Sequence, residues 1–150
     1  MAVMPSEVEL FGARAFLRYL GAPETREMQV AVVAWYRQES GSIQKIIGNN
    51  PFNIKKGAAS YLSVGERKGG FLIFPSLARG FKAAAIVIED LAPAYGYGTV
   101  ILAAMSGNPI RFLGALANSS WSESHYGVLA RAFPMGLDNH LVVVYREIMA

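Results

Sequence analysis

The chain has no cysteine. That excludes a disulfide framework and thiolate metal sites, and it leaves the compartment open. Histidine is nearly as scarce. His125 and His140 stand without companion ligands at metal spacing, so no metal site is expected. There is no Gly-x-Ser-x-Gly elbow to organise a serine triad. Gly96-Tyr97-Gly98 follows a helical stretch rather than a strand, which excludes a nucleotide fingerprint, and no cofactor is expected. Dense Lys/Arg runs are missing too. The strongest clusters, Lys55-Lys56 and Arg67-Lys68, read as solvated loop residues, and nucleic acid is not the expected partner. The apolar run from Ala83 is interrupted at Glu89-Asp90, far short of the ~20 residues of a membrane span. Met1 to Pro5 lacks the basic and apolar regions of a signal peptide. Repeats, linkers and low-complexity segments are also absent.

What remains is 150 residues, 53% hydrophobic and 17% charged. That describes one folded domain, 1–150, around one core. The net charge is +3 and the pI about 9.3. This mild positive balance favours acidic partners such as peptidoglycan, teichoic acids or nucleic acid.

Ser6 is a candidate cap for a first helix, with Glu7 and Glu9 near its positive end. Val8, Phe11, Ala15 and Leu20 follow at helical spacing up to Gly21. Pro23 suits the first turn of a second helix, in which Met28, Val32, Trp35 and Glu39 form an inward stripe. Between residues 48 and 75, glycine, asparagine and proline punctuate short runs such as Ala59–Val64 and Phe71–Phe74. This predicts irregular loop plus a small antiparallel hairpin. Pro75-Ser76 opens a third helix to about Leu91, with Leu77, Phe81, Ala84, Ala85 and Ile88 inward, broken by Pro93. A short helix is predicted over Thr99–Met105. Asn108-Pro109 starts another that runs to about Ala117. Ser119-Ser120-Trp121 opens a further short segment ending near Gly127. His140 to Met149 fits helix or strand. The sum is an α+β chain, mainly helical, with one small sheet inserted after the second helix.

The chemistry concentrates between Trp35 and Ile54. Glu39 ends an apolar helix face, where the negative end of the macrodipole and partial burial beside Trp35 both disfavour ionisation. A carboxyl kept partly protonated is what proton donation to a glycosidic oxygen requires. Ser40-Gly41 then ends the helix and leaves room for a groove. Glu66, Asp90 and Glu123 are the candidates for a second carboxylate. Glu66 on the hairpin is the one that could face Glu39 across a cleft, against the alternative that it pairs with Arg67 or Lys68 in a solvated turn. A single-acid mechanism assisted by the substrate is also open. Asn53 is the best-placed amide for a sugar group, whereas Asn49 and Asn50 read as turn residues. Tyr61, Tyr97 and Trp121 are the aromatics expected to stack on sugar faces.

Ala34–Ser42 (AWYRQESGS) followed by Asn49–Ile54 (NNPFNI) resembles the small phage and bacterial cell-wall lytic enzymes of the lysozyme-like superfamily. Phe74-Pro75-Ser76 with Gly80, Tyr97 with Ile101, Gly107-Asn108-Pro109 and Ser119-Ser120-Trp121 continue the likeness in order, over roughly residues 30 to 127. The resemblance implies a lysozyme-like fold, with a cleft between a helical lobe and a small β-hairpin lobe. It implies Glu39 as the catalytic acid, and the β-1,4-linked N-acetylmuramic acid and N-acetylglucosamine backbone of peptidoglycan as substrate. The Gly-Leu-Met-Gln signature of lytic transglycosylases is absent, and no second acid is assigned, so hydrolysis and transglycosylation both stay open. The missing signal peptide suits a phage endolysin released by a holin, or a muralytic part of a virion. The alternative is a non-catalytic phage structural or glycan-binding protein on the same fold.

Overall fold

Helix α2, Arg26–Ser40, is the axis of the molecule, and every residue from Met28 to Tyr36 on it is buried. A helix enclosed on all sides must be apolar all round, and the run Val30-Ala31-Val32-Val33-Ala34-Trp35 supplies that. The computed structural model describes residues 3–119 and 140–150. Among these, α1 spans Glu7–Leu20, α3 Leu77–Tyr95, α4 Gly98–Met105, α5 Pro109–Ala117 and α6 His140–Met149. Helices α1, α5 and α6 pack on α2, and α3 lies along α1. The protein is mainly helical with a two-stranded antiparallel sheet. His140–Met149, ambiguous by pattern, is a helix.

Local chemistry sets most boundaries. Ser6 accepts from the Glu9 N–H at 3.3 Å while the Glu9 carboxylate accepts from the Ser6 N–H at 2.9 Å, a complete capping box. Ser76 and Asn108 cap α3 and α5 through their side chains. Three expectations are corrected. Thr25 caps α2, so Pro23 lies ahead of the helix rather than in its first turn. The α1 stripe through Val8 and Phe11 faces solvent, while Leu10, Ala13, Phe16, Leu17 and Leu20 face the core. Pro93 does not break α3 but sits within its C-terminal part.

The segment between α2 and α3 is irregular. Strands β1, Gly65–Arg67, and β2, Phe71–Ile73, pair antiparallel with Glu66 opposite Leu72. Of the two short runs, Phe71–Ile73 is a strand and Ala59–Val64 holds a 3-10 turn over Ser60–Leu62. Phe52 plugs this segment into the bundle. Its ring centroid lies 4.2 Å from that of Trp35 and 5.4 Å from that of Phe81. Trp35 also meets Phe16 edge-on at 5.3 Å. Gly80 permits this approach, because a Cβ there would collide with the Asn49 carbonyl oxygen and meet Pro51 Cδ at 2.8 Å.

Candidate functional site

The loop Asn49–Ile54 wraps the C-terminal end of α2, and that contact positions Glu39. Trp35, one turn before Glu39, packs at a tilt against Phe52. Ser40 Oγ donates to the Pro51 carbonyl at 2.6 Å. Asn53 Nδ2 donates to the main-chain carbonyl of Glu39 at 3.4 Å, which satisfies one of the acceptors that a helix end leaves open. Glu39 is half-buried in this last turn, and Gly41 ends it with φ 84°.

Asn49 and Asn50 do the turn chemistry expected of them. Asn50 is 1% exposed. Its amide donates to the carbonyls of Ile54 and Leu72, both at 2.9 Å, and its oxygen accepts from the Ile54 N–H at 2.9 Å. One side chain thus closes the loop and ties it to β2. Asn49 adopts φ 55°, a left-handed conformation that asparagine tolerates, and donates to the Phe74 carbonyl at 3.0 Å. Asn53 is left-handed as well, at φ 54°.

A cavity of about 330 Å³ opens between residues 52–58 and the C-terminal half of α3. Phe52, Ile54, Val87 and Leu91 are its apolar wall, and Asn53, Lys55, Lys56 and Asp90 its polar rim. Asn53, rather than Glu39, is the member of the Glu39–Asn53 pair that lines it. The other sequence candidates do not converge here. Glu66 is exposed on β1, and among the described residues its carboxylate makes no hydrogen bond or ion pair. Tyr61 is 70% exposed on the 3-10 turn. Tyr97 is 5% exposed. Burial, then the neighbouring Tyr95, pushes its hydroxyl above the ordinary tyrosine value. It is a core residue at the N-cap of α4. Trp121 lies outside the described residues, as do Glu123, His125 and the segment expected to end near Gly127. Among the described residues, no three His, Cys, Asp or Glu side chains gather to hold a metal ion. No helix there is long and apolar enough to cross a membrane.

A second polar centre on α2 escaped the sequence reading. Glu9 is 4% exposed and accepts from Tyr36 Oη and from Arg37, at 3.0 Å from Nε and 3.1 Å from the terminal nitrogen. Arg37 also donates to the Val3 carbonyl at 2.6 Å. Burial alone would raise the Glu9 carboxyl. The hydrogen bonds from Arg37, the Ser6 N–H and Tyr36, with the Arg37 charge, outweigh it and hold the group below the usual carboxylate value. The same burial and the Glu9 contact push the Tyr36 hydroxyl well up. The network borders a cavity of about 530 Å³ at the start of α1 and the end of α2. Its one sequence signal is Ser6-x-x-Glu9, the capping-box pattern. Nothing in the sequence says that the N3 glutamate also meets Tyr36 and Arg37.

No known protein family, curated protein or solved structure matches the chain.

Proposed function

We propose that the protein is a peptidoglycan-cleaving glycosidase of lysozyme-like architecture, with Glu39 as its general acid. The observation that supports this reading most is the setting of Glu39. It is a half-buried residue in the last turn of the central buried helix, where Asn53 bonds its main-chain carbonyl and the neighbouring Ser40 bonds Pro51 of the Asn-Pro-Phe-Asn loop. The backbone that carries it is tied down at this point, and an acid that must meet a leaving-group oxygen needs such positioning.

In this reading Glu39 gives its proton to the glycosidic oxygen as the bond to the anomeric carbon breaks. The attacking group is water or a group of the sugar itself, since Glu66 stands exposed on β1. The substrate-assisted form needs no protein nucleophile. The phage or bacterial lytic setting belongs to the same proposal.

Digestion of purified peptidoglycan by wild type and Glu39→Gln tests it, with products read by mass spectrometry. Loss of a general acid is expected to lower turnover by about 10²- to 10⁴-fold with the fold intact by circular dichroism. Reducing-end products identify a hydrolase and 1,6-anhydro products a lytic transglycosylase. Equal activity of the two proteins sinks the assignment of Glu39. Binding of walls without cleavage by either protein moves the conclusion to a non-catalytic wall-binding protein.

A further inference from the structure

The protein's net positive charge is not spread over its surface. Residues 55–71 contain four of the 14 Lys and Arg residues and one of the 11 Asp and Glu residues, so the rest of the chain, with ten of each, is neutral. The whole net charge of +3 therefore sits on the hairpin lobe.

The fold concentrates it further. Lys55-Lys56 and Arg67-Lys68 are distant in sequence, yet both meet β2. Lys55 forms a β-bridge with Phe71, the Lys56 N–H donates to the Gly70 carbonyl at 3.1 Å, and Arg67 pairs with Phe71 in the hairpin. Lys55 Nζ lies 5.0 Å and the Arg67 guanidinium carbon 4.6 Å from the centre of the Phe71 ring. Lys68 follows in the exposed turn. Glu66 is the one carboxylate among these residues. The two ion pairs among the described residues, Arg18–Glu24 and Arg37–Glu9, use none of the four cations. Four cations against Glu66 within the segment and Asp90 on the shared cavity rim leave an excess of positive charge, which raises the local potential and attracts an anionic polymer.

We propose that the hairpin lobe is an electrostatic dock for an anionic glycan strand, and that Lys55, Lys56, Arg67 and Lys68 make the protein prefer charged wall glycan over neutral glycan. The identity of the polymer rests on the glycosidase reading. The dock itself rests on the charge distribution. Lys55 and Lys56 also border the 330 Å³ cavity that Asn53 lines, so a strand held by the lobe lies beside the end of α2. The lactyl and stem-peptide carboxylates of peptidoglycan supply the complementary charge, and flexible lysines suit such dispersed single charges. Nucleic acid fits less well, because the Phe71 ring at the centre of the patch is engaged by its own two cations and offers no open platform for base stacking.

Cosedimentation tests this with insoluble peptidoglycan and with chitin, at low and high salt. It uses wild type and the double variant Lys56→Gln/Lys68→Gln, which spares the two cations on Phe71. Wild type is expected to prefer peptidoglycan at low salt, with the preference erased by salt. The double variant is expected to lose about threefold to tenfold in affinity for peptidoglycan, the effect of two exposed charge contacts, and nothing for chitin. Equal or absent binding to the two polymers, an unchanged double variant, or tighter binding to double-stranded DNA than to peptidoglycan at the same salt overturns the proposal. The readout is binding, so a failure of Glu39 in the digestion assay leaves this result standing, and the reverse also holds.

Discussion

The bundle around α2 and the segment from Gly48 to Phe74 are stabilised in different ways. In the bundle, Trp35, Phe16 and Phe112 interlock with centroids 5.3 to 6.2 Å apart, and apolar burial on every side of α2 carries the stability. The lobe has two strands of three residues each and, besides the buried side chains Phe52, Ile54, Leu62, Leu72 and Phe74, relies on directional bonds. These are the three of Asn50, the single ones of Asn49 and Ser40, and the Leu72 N–H to Ile54 carbonyl bond at 3.0 Å. Its apolar anchors to the rest include Phe52. A bundle of this kind loses stability in proportion to volume removed, whereas a lobe of that kind is also sensitive to the loss of a single polar partner. The lobe is therefore expected to open locally while the bundle stays folded.

Truncation in the bundle is expected to have the largest effect. Phe16→Ala empties a fully buried site and should cost about 3–5 kcal/mol, seen as a lower denaturation midpoint by every probe at once. A change confined to the lobe would contradict the division.

Asn50→Ala should come next. It strands the Ile54 N–H and leaves the Ile54 and Leu72 carbonyls without that amide, at about 2–3 kcal/mol. Hydrogen exchange should quicken at Ile54 and Leu72 while the α2 amides keep wild-type protection. Uniform acceleration across both regions would mean that lobe and bundle are one cooperative unit.

Glu9 links the start of α1 to α2 and probes the bundle by pH. Its carboxyl is held lower in the folded than in the unfolded chain. Its contribution is therefore present above the unfolded carboxylate value and is lost as pH falls through the folded one. Glu9→Gln should lower stability at neutral pH and flatten the loss on acidification. A stability–pH curve parallel to wild type would show that Glu9 does not carry this dependence.

Glu66→Gln should do least. The side chain is exposed on β1, so stability should change by less than about 0.5 kcal/mol, and wall cleavage should remain within about twofold of wild type. Activity falling as far as in Glu39→Gln would restore a two-carboxylate mechanism.

The bundle was the more legible of the two regions. Capping residues announce themselves locally, so Ser6, Ser76 and Asn108 start helices where the pattern puts them. Choosing the buried face of α1 was harder, because Val8 and Phe11 share the helical period with Leu10, Phe16 and Leu17. Only the neighbours decide which stripe is covered. In the lobe, short apolar runs do not distinguish a strand from a 3-10 turn, so the pattern does not say which of Ala59–Val64 and Phe71–Phe74 is extended. At the candidate site, Glu39 and Asn53 are brought together by the loop that folds back over α2. Tyr97 is drawn into the core because a tyrosine pattern carries no statement of which side of it will be solvent.

The sequence by itself determined the starts of α1, α3 and α5, the asparagine-rich turn and the mild positive charge. Each depends on a residue and its near neighbours, through backbone preference and apolar period. The tertiary structure alone decided that Glu9 meets Tyr36 and Arg37, that Gly80 admits the loop carrying Phe52, and that Lys55 and Arg67 meet over Phe71. Those are contacts between distant segments, and they exist only once burial of the bundle has fixed where each segment ends.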